Sequence, residues 1–261
     1  MAAMIRFEDV DFRFIGRSAT QPLVLEQLSF EIERGEFFCL LGPSGCGKTT
    51  VLNLLAGFEQ PSSGHILVAD RPVTAPGVER TVVFQGDDSL YTWLTAVENV
   101  EFGLRLAGVD AATRRATAER YLALVGLTGQ GGKYPSELSG GMKQRIQIAR
   151  ALVCDSPILL MDEPFAALDA QTRSTLQDEL IGIWQQTGRT FLFITHDIGE
   201  SILLADRIGL MTAGPAASMK TIVPVELPRP RRRSDPAFGA LYERIGVVVS
   251  EEVRRSAAMV R

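Results

Sequence analysis

Cysteine and histidine, the residues that build disulfide frameworks and most metal centres, are scarce: the 261 residues include three of the former and two of the latter. Cys39, Cys46 and Cys154 cannot all pair with one another and do not have metal-site spacing. This is typical of small buried thiols in a reducing compartment. No apolar run reaches the roughly 20 residues that span a bilayer, and residues 1–7 contain no apolar export segment. We therefore expect any membrane role to be indirect.

Basic residues do not outnumber acidic residues in this sequence. Lysine and arginine number 27 against 31 acidic residues, a formal net charge of -4, which argues against wrapping nucleic acid by bulk charge. A local basic run, residues 228–233 (PRPRRR), is expected to be a solvated segment followed by a short helical stretch. With 46% hydrophobic residues, the chain is long enough to bury a sizeable core.

The apolar pattern predicts an α/β fold. Residues 37–41 (FFCLL) form a continuous apolar run, as expected for a buried parallel strand. Similar runs occupy residues 81–84, 158–161 and 190–194. Helical stripes lie between these runs, which is typical of a parallel sheet covered on both faces. Residues 27–33 alternate instead, which predicts an antiparallel strand, and residues 87–141 have the pattern of a helical insertion.

Residues 42–49 (GPSGCGKT) match the phosphate-binding pattern G-x-x-x-x-G-K-[ST], and a predicted helix over residues 50–56 follows them. Glycines allow backbone N–H groups to turn toward phosphate oxygens, and the helix N-terminus adds partial positive charge. We expect Lys48 to reach the β- and γ-phosphates and Thr49 to hold Mg²⁺ through its hydroxyl. The alternative is a glycine-rich turn without function, which would leave the flanking strand and helix a coincidence.

Polar side chains follow three further predicted strands, at Gln85, Asp162, Glu163 and His196. Because the carboxyl ends of parallel strands share one edge of a sheet, we expect these side chains to converge there with Lys48. Asp162 would bind Mg²⁺, directly or through water, and Glu163 would orient and deprotonate the attacking water. His196 would contact the γ-phosphate and stabilise its developing charge. Alone, the Asp-Glu pair would as readily start a loop or cap a helix.

A second glycine-rich segment precedes a helix that is expected to start near Met142. Ser139, Gly140 and Gly141 would expose backbone N–H groups at this helix N-terminus, which predicts a second phosphate site. The alternative is a plain serine cap followed by flexible glycines. Because one nucleotide has a single γ-phosphate, a head-to-tail dimer explains the second site: each subunit's serine-glycine helix would close over the nucleotide held by its partner.

In this order, the motifs resemble those of ATP-binding cassette (ABC) ATPases along nearly the whole chain. They are GPSGCGKTT at residues 42–50, Gln85, LSGGMKQR at residues 138–145, ILLMDEP at residues 158–164, ALD at residues 167–169, and His196. The resemblance implies an α/β fold of the P-loop NTPase type, with a RecA-like core, an antiparallel β subdomain and a helical subdomain. The implied single domain covers residues 1–261, with the β subdomain and core at 1–86 and 150–214, the helical subdomain at 87–149 and a C-terminal tail at 215–261.

The resemblance also implies an ATPase that uses ATP and Mg²⁺. Gln85 would sense Mg²⁺ and the membrane partner, the serine-glycine helix would bind the γ-phosphate across the dimer, and Asp169 would couple the two sites. Phe14 is expected to stack on adenine, with Phe12 as the alternative. The expected metal ligands are Thr49, Gln85 and Asp162. The expected nucleotide contacts in the phosphate loop are Gly42, Pro43, Ser44, Gly45, Cys46, Gly47, Lys48, Thr49 and Thr50.

Residues 75–104 and 161–173 are similar to the ATPases of nitrate, sulfonate and taurine importers, and residues 75–85 lean toward taurine or another alkanesulfonate. Tyr91-Thr92 is a departure, because Leu-Pro usually precedes Trp93 in the loop that would contact a permease. The implied partners are a second copy of the chain, transmembrane permease subunits and, indirectly, a solute-binding protein, with no nucleic acid. The implied location is peripheral, on the cytoplasmic face of the inner membrane.

Two alternative functions have less support in the sequence. A non-transport ABC ATPase acting on nucleic acid or ribosomes generally carries a long coiled coil or a second cassette joined by a basic linker, and this sequence has neither. A P-loop kinase for a small molecule would leave the serine-glycine helix unexplained.

Overall fold

The computed structural model describes residues 3–14, 22–86 and 89–259, and the chain divides into two compact units. The first unit contains the chain up to Arg80 and again from Gly188 onward, and the second spans Thr81–Thr187. The strands are β1 (Ala3–Phe12), β2 (Leu25–Glu33), β3 (Phe37–Leu41), β4 (Ser63–Val68), β5 (Arg71–Pro72), β6 (Arg80–Val83), β7 (Ile158–Asp162), β8 (Thr190–Ile194), β9 (Arg207–Met211) and β10 (Met219–Pro224). The helices are α1 (Lys48–Ala56), α2 (Ala96–Leu106), α3 (Ala111–Leu124), α4 (Gly140–Leu152), α5 (Ala170–Thr187), α6 (Ile198–Leu204) and α7 (Pro236–Met259), with a 3₁₀ turn at Pro135–Glu137.

An antiparallel sheet in the first unit has the strand order β2-β1-β4-β5. Leu28, Phe30 and Ile32 of β2 are buried and alternate with exposed residues, as the sequence pattern predicted. Phe7 of β1 pairs with Phe30, and their rings stack with 4.6 Å between centroids. The predicted antiparallel β subdomain is therefore confirmed.

A mostly parallel sheet in the same unit has the strand order β10-β9-β3-β8. Strand β3 pairs in parallel with both β8 and β9, and β10 runs antiparallel to β9. All residues of β3 and β8 are buried, which explains their continuous apolar sequences. Cys39 lies in the middle of β3, opposite Phe193 on one side and Ile208 on the other, so the expected buried thiol is confirmed there.

In the second unit, β6 and β7 are neighbours and α2, α3 and α4 pack against one another. Thr95 begins α2 with a capping box, in which its hydroxyl accepts the N–H of Glu98 and the Glu98 carboxylate accepts the N–H of Thr95. The helical patterns predicted in this region are confirmed as α2 and α3. Helix α4 begins at Gly140, two residues before the expected start, because Ser139 is its N-cap.

The basic run is not solvated throughout, so that prediction was wrong for two of its arginines. Arg231 donates to the carbonyl oxygens of Ile202 and Ala205 at 2.7 and 2.6 Å, at the end of α6. Arg229 forms an ion pair of 2.7 Å with Asp206. Burial, and after it the charge of Arg229, lowers the pKa of Arg231 to about 10, so it remains charged at neutral pH. These acceptors come from a distant part of the chain, which sequence patterns do not reveal.

The helix after the basic run was predicted to be short, and this prediction was also wrong. Helix α7 has 24 residues and packs against α6. Phe238, Leu241 and Ile245 form its buried stripe. Like the other helices in the described ranges, α7 lacks the combination of length and apolar character needed to cross a bilayer.

Candidate functional site

The segment of residues 42–47 joins β3 to α1 and has the backbone of a phosphate loop. Gly45 and Gly47 have φ angles of 79° and 90°, which residues with side chains rarely adopt. A Cβ on Gly47 would also lie 2.9 Å from Cδ2 of Leu25 and 3.1 Å from Cγ1 of Val24, so both the backbone angle and the packing favour glycine there. Gly47 is the N-cap of α1 and offers no side chain to the first N–H groups of the helix. An anion is a natural partner for such a helix start.

Lys48 is the first residue of α1 and is buried over the loop. Its ammonium donates to the carbonyl oxygens of Gly42 and Pro43, at 2.8 and 2.9 Å, and lies 3.9 Å from the sulfur of Cys46. Burial raises the pKa of the Cys46 thiol, and the nearby Lys48 offsets this only in part. The loop therefore already holds a cation beside its backbone N–H groups.

His196 lies beside the strand that leads into this loop. It follows β8, which is the parallel neighbour of β3, with Ile194 opposite Leu40. The two strand ends are therefore adjacent in the first unit, as the sequence predicted for this pair. His196 is exposed, and the next residue, Asp197, caps α6 by accepting the N–H of Glu200 at 2.9 Å.

The two aromatic residues considered for adenine stacking differ in their exposure. Phe12 is buried, with 2% of its surface exposed, whereas Phe14 is 50% exposed. Their rings meet edge to face, with 4.9 Å between centroids. Phe12 thus supports Phe14 from within the core, and of the two only Phe14 presents a ring that a base could stack on.

In the second unit, polar side chains meet at the ends of β6 and β7. Asp162 is the buried last residue of β7, and Glu163 follows it. Nε2 of Gln85 donates a hydrogen bond to Oε2 of Glu163 at 3.3 Å. The φ angle of Glu163 is 44°, a left-handed conformation that costs a residue with a side chain about 1–2 kcal/mol. The amide contact and the unusual backbone together fix the direction of this carboxylate.

Two residues of α4 that sequence reasoning missed bind Gly86 and Ser89, shortly after Gln85. Nε2 of Gln147 donates to the carbonyl oxygen of Gly86 at 2.7 Å. The guanidinium of Arg150 donates to the carbonyl and hydroxyl oxygens of Ser89, at 2.9 and 3.0 Å. The available sequence signal was a pair of glutamines, Gln144 and Gln147, among the apolar residues of α4; both are buried, and a buried amide needs a partner.

The other two predicted site elements lie at helix N-termini in the second unit. The Ser139 hydroxyl accepts the N–H of Met142 at 3.3 Å, so the plain serine cap is present. Gly140 and Gly141 form the first turn of α4. The Asp169 carboxylate accepts the N–H of Thr172 at 2.9 Å, and this hydrogen bond is the main cause that lowers its pKa. Asp169 therefore has a capping role at α5 that the sequence did not suggest.

Tyr91-Thr92, which stands where Leu-Pro is usual, lies in a loop that is held by side-chain hydrogen bonds. The Asn99 side chain accepts the N–H of Tyr91 at 2.8 Å and donates to the carbonyl oxygens of Tyr91 and Leu94. The Tyr91 ring contacts Phe102, with 4.6 Å between centroids. Trp93, in the same loop, is 71% exposed.

The predicted ligands suit Mg²⁺ bound together with a nucleotide. Thr49, Gln85 and Asp162 offer a hydroxyl, an amide and a carboxylate oxygen, the hard donors that Mg²⁺ prefers. Among the described residues, no group of three or more histidines, cysteines, aspartates or glutamates could hold a metal ion. Mg²⁺ commonly relies on one or two carboxylates plus substrate phosphates, and this donor set fits that pattern.

Comparison with known proteins identifies the family. Residues 25–166 match the family described as ABC transporter. The taurine import ATP-binding protein TauB of Chromobacterium violaceum is 47% identical over 250 residues, which cover 93% of this chain and 94% of that protein. The nitrate import ATP-binding protein NrtD of Synechococcus elongatus is 42% identical, with 92% and 91% covered.

A solved structure of similar fold is the dimeric ATP-binding cassette MJ0796 in a post-hydrolysis state bound to ADP and Pi. It has a TM-score of 0.77 and 28% identity, and the match covers 86% of this chain and all of that chain. The expected P-loop ATPase fold and the use of ATP with Mg²⁺ are confirmed by these relationships. The chain belongs to the ABC transporter family, as one of its ATP-hydrolysing subunits.

Proposed function

We propose that this chain is the energy-coupling ATPase of an importer for a small anion, of the taurine, alkanesulfonate or nitrate type. The observation that carries the proposal is the phosphate loop, in which the Lys48 ammonium is held at the carbonyl oxygens of Gly42 and Pro43 and an N-cap glycine leaves the helix start open to an anion. Relatives named for taurine and nitrate import support the importer class, and they do not favour an action on nucleic acid or ribosomes.

In the nucleotide-binding step, residues 42–50 surround the phosphates. Lys48 exchanges its hydrogen bonds to Gly42 and Pro43 for phosphate oxygens, so its charge moves by a side-chain rotation and the loop backbone stays in place. Phe14 stacks on the base. Thr49, Gln85 and Asp162 would hold Mg²⁺, which would neutralise phosphate charge.

In the hydrolytic step, Glu163 orients the attacking water and accepts its proton. The hydrogen bond from Gln85 holds the Glu163 carboxylate in one direction, so little reorganisation is needed at the moment of attack. His196 donates to the γ-phosphate and stabilises the charge that develops there.

The second copy completes the site. Ser139, Gly140 and Gly141 close over the γ-phosphate held by the partner, and Asp169 couples the two sites. The dimeric state of the related cassette supports this arrangement. Ser139 already directs its oxygen to the first turn of α4, so the segment is ordered before a partner arrives.

The membrane permease meets the loop that carries Trp93, and closure of the dimer moves this loop. The braced geometry of the loop at Asn99 supports a role as a contact surface, because a rigid loop loses little conformational entropy on binding. The chain would then lie at the cytoplasmic face of the inner membrane. A solute-binding protein and the permease would select the anion.

The test of this proposal is hydrolysis by the purified chain and a Glu163→Gln variant. Loss of the base should lower kcat by at least about 100-fold while the Kd for ATP stays within about 3-fold. Glu179→Gln, at an exposed site on α5 in the same unit, is the matched control and should hydrolyse ATP normally. Near-normal turnover in Glu163→Gln would reject the assigned role. Recovery of a permease with the tagged chain from membranes tests the importer assignment.

A further inference from the structure

Helix α7 carries a buried carboxylate that the proposed mechanism does not use. The Glu252 side chain is 2% exposed and accepts the N–H of Ala213 at 2.8 Å. It also pairs with the Lys220 ammonium at 2.6 Å and with Arg255 at 3.2 Å. Burial opposes ionisation, but the donors from Lys220 and Ala213 outweigh it, and the pKa of Glu252 is lowered. Removing one partner from such a buried ion pair is costly, because the other charge then stays buried without compensation.

The backbone segment that Glu252 binds packs against the phosphate loop. Ala213 and Gly214 follow β9, and a Cβ on Gly214 would lie 3.1 Å from the carbonyl oxygen of Gly45 and 3.5 Å from Cα of Cys46. At the other end of the loop, a Cβ on Gly42 would lie 3.1 Å from Cβ of Met211. The segment of residues 211–214 therefore lies against the loop at both of its ends.

We propose that Glu252 is a positioning residue for nucleotide binding, which holds Ala213 and Gly214 against the phosphate loop. This inference rests on the proposed function, because it concerns the affinity of that loop for ATP. Gly214 packs against the left-handed Gly45, and the residue before Gly214 is held by the bond from the N–H of Ala213 to Glu252, in addition to the bond from the N–H of Thr212 to the carbonyl oxygen of Ser218. Without the carboxylate, this buried N–H lacks its acceptor, and the segment must move to satisfy it.

The adjacent residue provides a matched control. Glu251 binds the same Lys220 ammonium, at 2.9 Å, but its side chain is 54% exposed. Within the described residues, Glu251 pairs with Lys220, whereas the bond to Ala213 belongs to Glu252. Comparing the two positions thus separates the general effect of removing an ion pair with Lys220 from the specific effect on the loop.

The experiment uses the full chain with Glu252→Ala, Glu252→Gln and Glu251→Ala. The measurements are the Kd for ATP by equilibrium binding, kcat, KM and the melting temperature without nucleotide, at a temperature where circular dichroism shows every variant folded. We expect Glu252→Ala to raise the Kd and KM for ATP roughly 10-fold, with kcat changed less than about 3-fold, since binding geometry is lost and the base is intact.

Glu252→Gln keeps an acceptor oxygen for Ala213 but not the charge opposite Lys220. It should recover ATP affinity to within about 3-fold of the parent while melting below it, and Glu251→Ala should bind ATP normally. A purely structural role would lower the melting temperature of Glu252→Ala and leave the Kd unchanged, which would overturn the inference. Equal losses of affinity in Glu252→Ala and Glu252→Gln would overturn it as well.

Gly214→Ala serves if Glu252→Ala does not fold. Its methyl group would press on Gly45 with the buried carboxylate intact, and we expect the same rise in the Kd for ATP. An unchanged Kd in this variant would contradict the inference. Failure of the proposed nucleotide site itself is a distinct result, because the parent chain would then show no ATP binding at the phosphate loop with which the variants could be compared.

Discussion

The amide of Gln85 donates to the carboxylate of Glu163 across 3.3 Å, and so links the end of β6 to the turn after β7. Glu163 is only partly buried, and its backbone conformation at φ 44° already limits where the side chain can point. The proposed base is thus oriented by two independent features within the second unit, one from its own backbone and one from a neighbouring strand end.

Replacing Gln85 by alanine should therefore lower kcat for ATP hydrolysis roughly 10-fold, the effect of losing one hydrogen bond to a charged group. Steady-state hydrolysis by the purified chain measures this. Gln186→Ala, exposed on α5, is the control and should match the parent. A Gln85→Ala chain that turns over ATP at the parental rate would show that the hydrogen bond does not orient the base.

The two left-handed glycines of the phosphate loop should differ in their tolerance of a methyl group. Gly47→Ala meets Cδ2 of Leu25 at 2.9 Å and should cost about 3 kcal/mol of unfolding free energy. At Gly45, a Cβ has no described neighbour within 4 Å. Gly45→Ala should therefore lower the unfolding free energy by only about 1 kcal/mol, the cost of the left-handed backbone for a residue with a side chain. Denaturant titration of both variants tests this, and equal losses would contradict the packing described at Gly47.

The docked arginine at the end of α6 should be important for stability. Arg231→Ala removes donors from the carbonyl oxygens of Ile202 and Ala205, and we expect a loss of about 3 kcal/mol in unfolding free energy. Arg232→Ala, at an exposed site one residue away, should stay within about 0.5 kcal/mol of the parent. Denaturant titration distinguishes the two, and similar small effects would mean that the basic run is solvated after all.

The capping box of α2 predicts a pH dependence. The hydroxyl of Thr95, and then its N–H, lower the pKa of Glu98 below its usual value of 4.5. Since the folded-state pKa is the lower one, the ionised carboxylate contributes stability above about pH 4.5, and this contribution is lost as the pH falls through the folded-state value.

Glu98→Gln keeps an acceptor but does not titrate. The parent should therefore exceed this variant in unfolding free energy at neutral pH, by about 1 kcal/mol, and the gap should close in acid. Glu119→Gln, exposed on α3, should show a smaller gap at neutral pH. A parent-to-variant gap that does not change between neutral and acidic pH would refute the assignment.

Elements with a strong local pattern could be predicted from the sequence. Strands β3 and β8 were predicted with their observed bounds, because a fully buried strand is apolar at every position. Strand β10 was not predicted, since it is only partly buried and its sequence neither alternates cleanly nor forms an apolar run. The length of α7 was also missed, because its polar residues obscure the buried stripe.

The residues of the candidate site likewise fall into those that the sequence could identify and those that it could not. Residues within contiguous motifs, such as Lys48 and Glu163, could be named because phosphate and water chemistry requires those residue types after a buried strand. The supporting contacts of Gln147, Arg150 and Glu252 could not, because each joins segments that only the fold brings together. Sequence patterns thus indicated which groups would react, and the structure was needed to show what holds them.

The proposed exchange of nucleotide contacts between two copies is tested most directly by sedimentation of the Glu163→Gln chain with ATP and Mg²⁺. Such an exchange predicts a doubling of mass with ATP and none with ADP, and it predicts that adding Ser139→Arg to this chain leaves a monomer that still binds ATP at Lys48. A Glu163→Gln chain that stays monomeric with its nucleotide site saturated by ATP would contradict it.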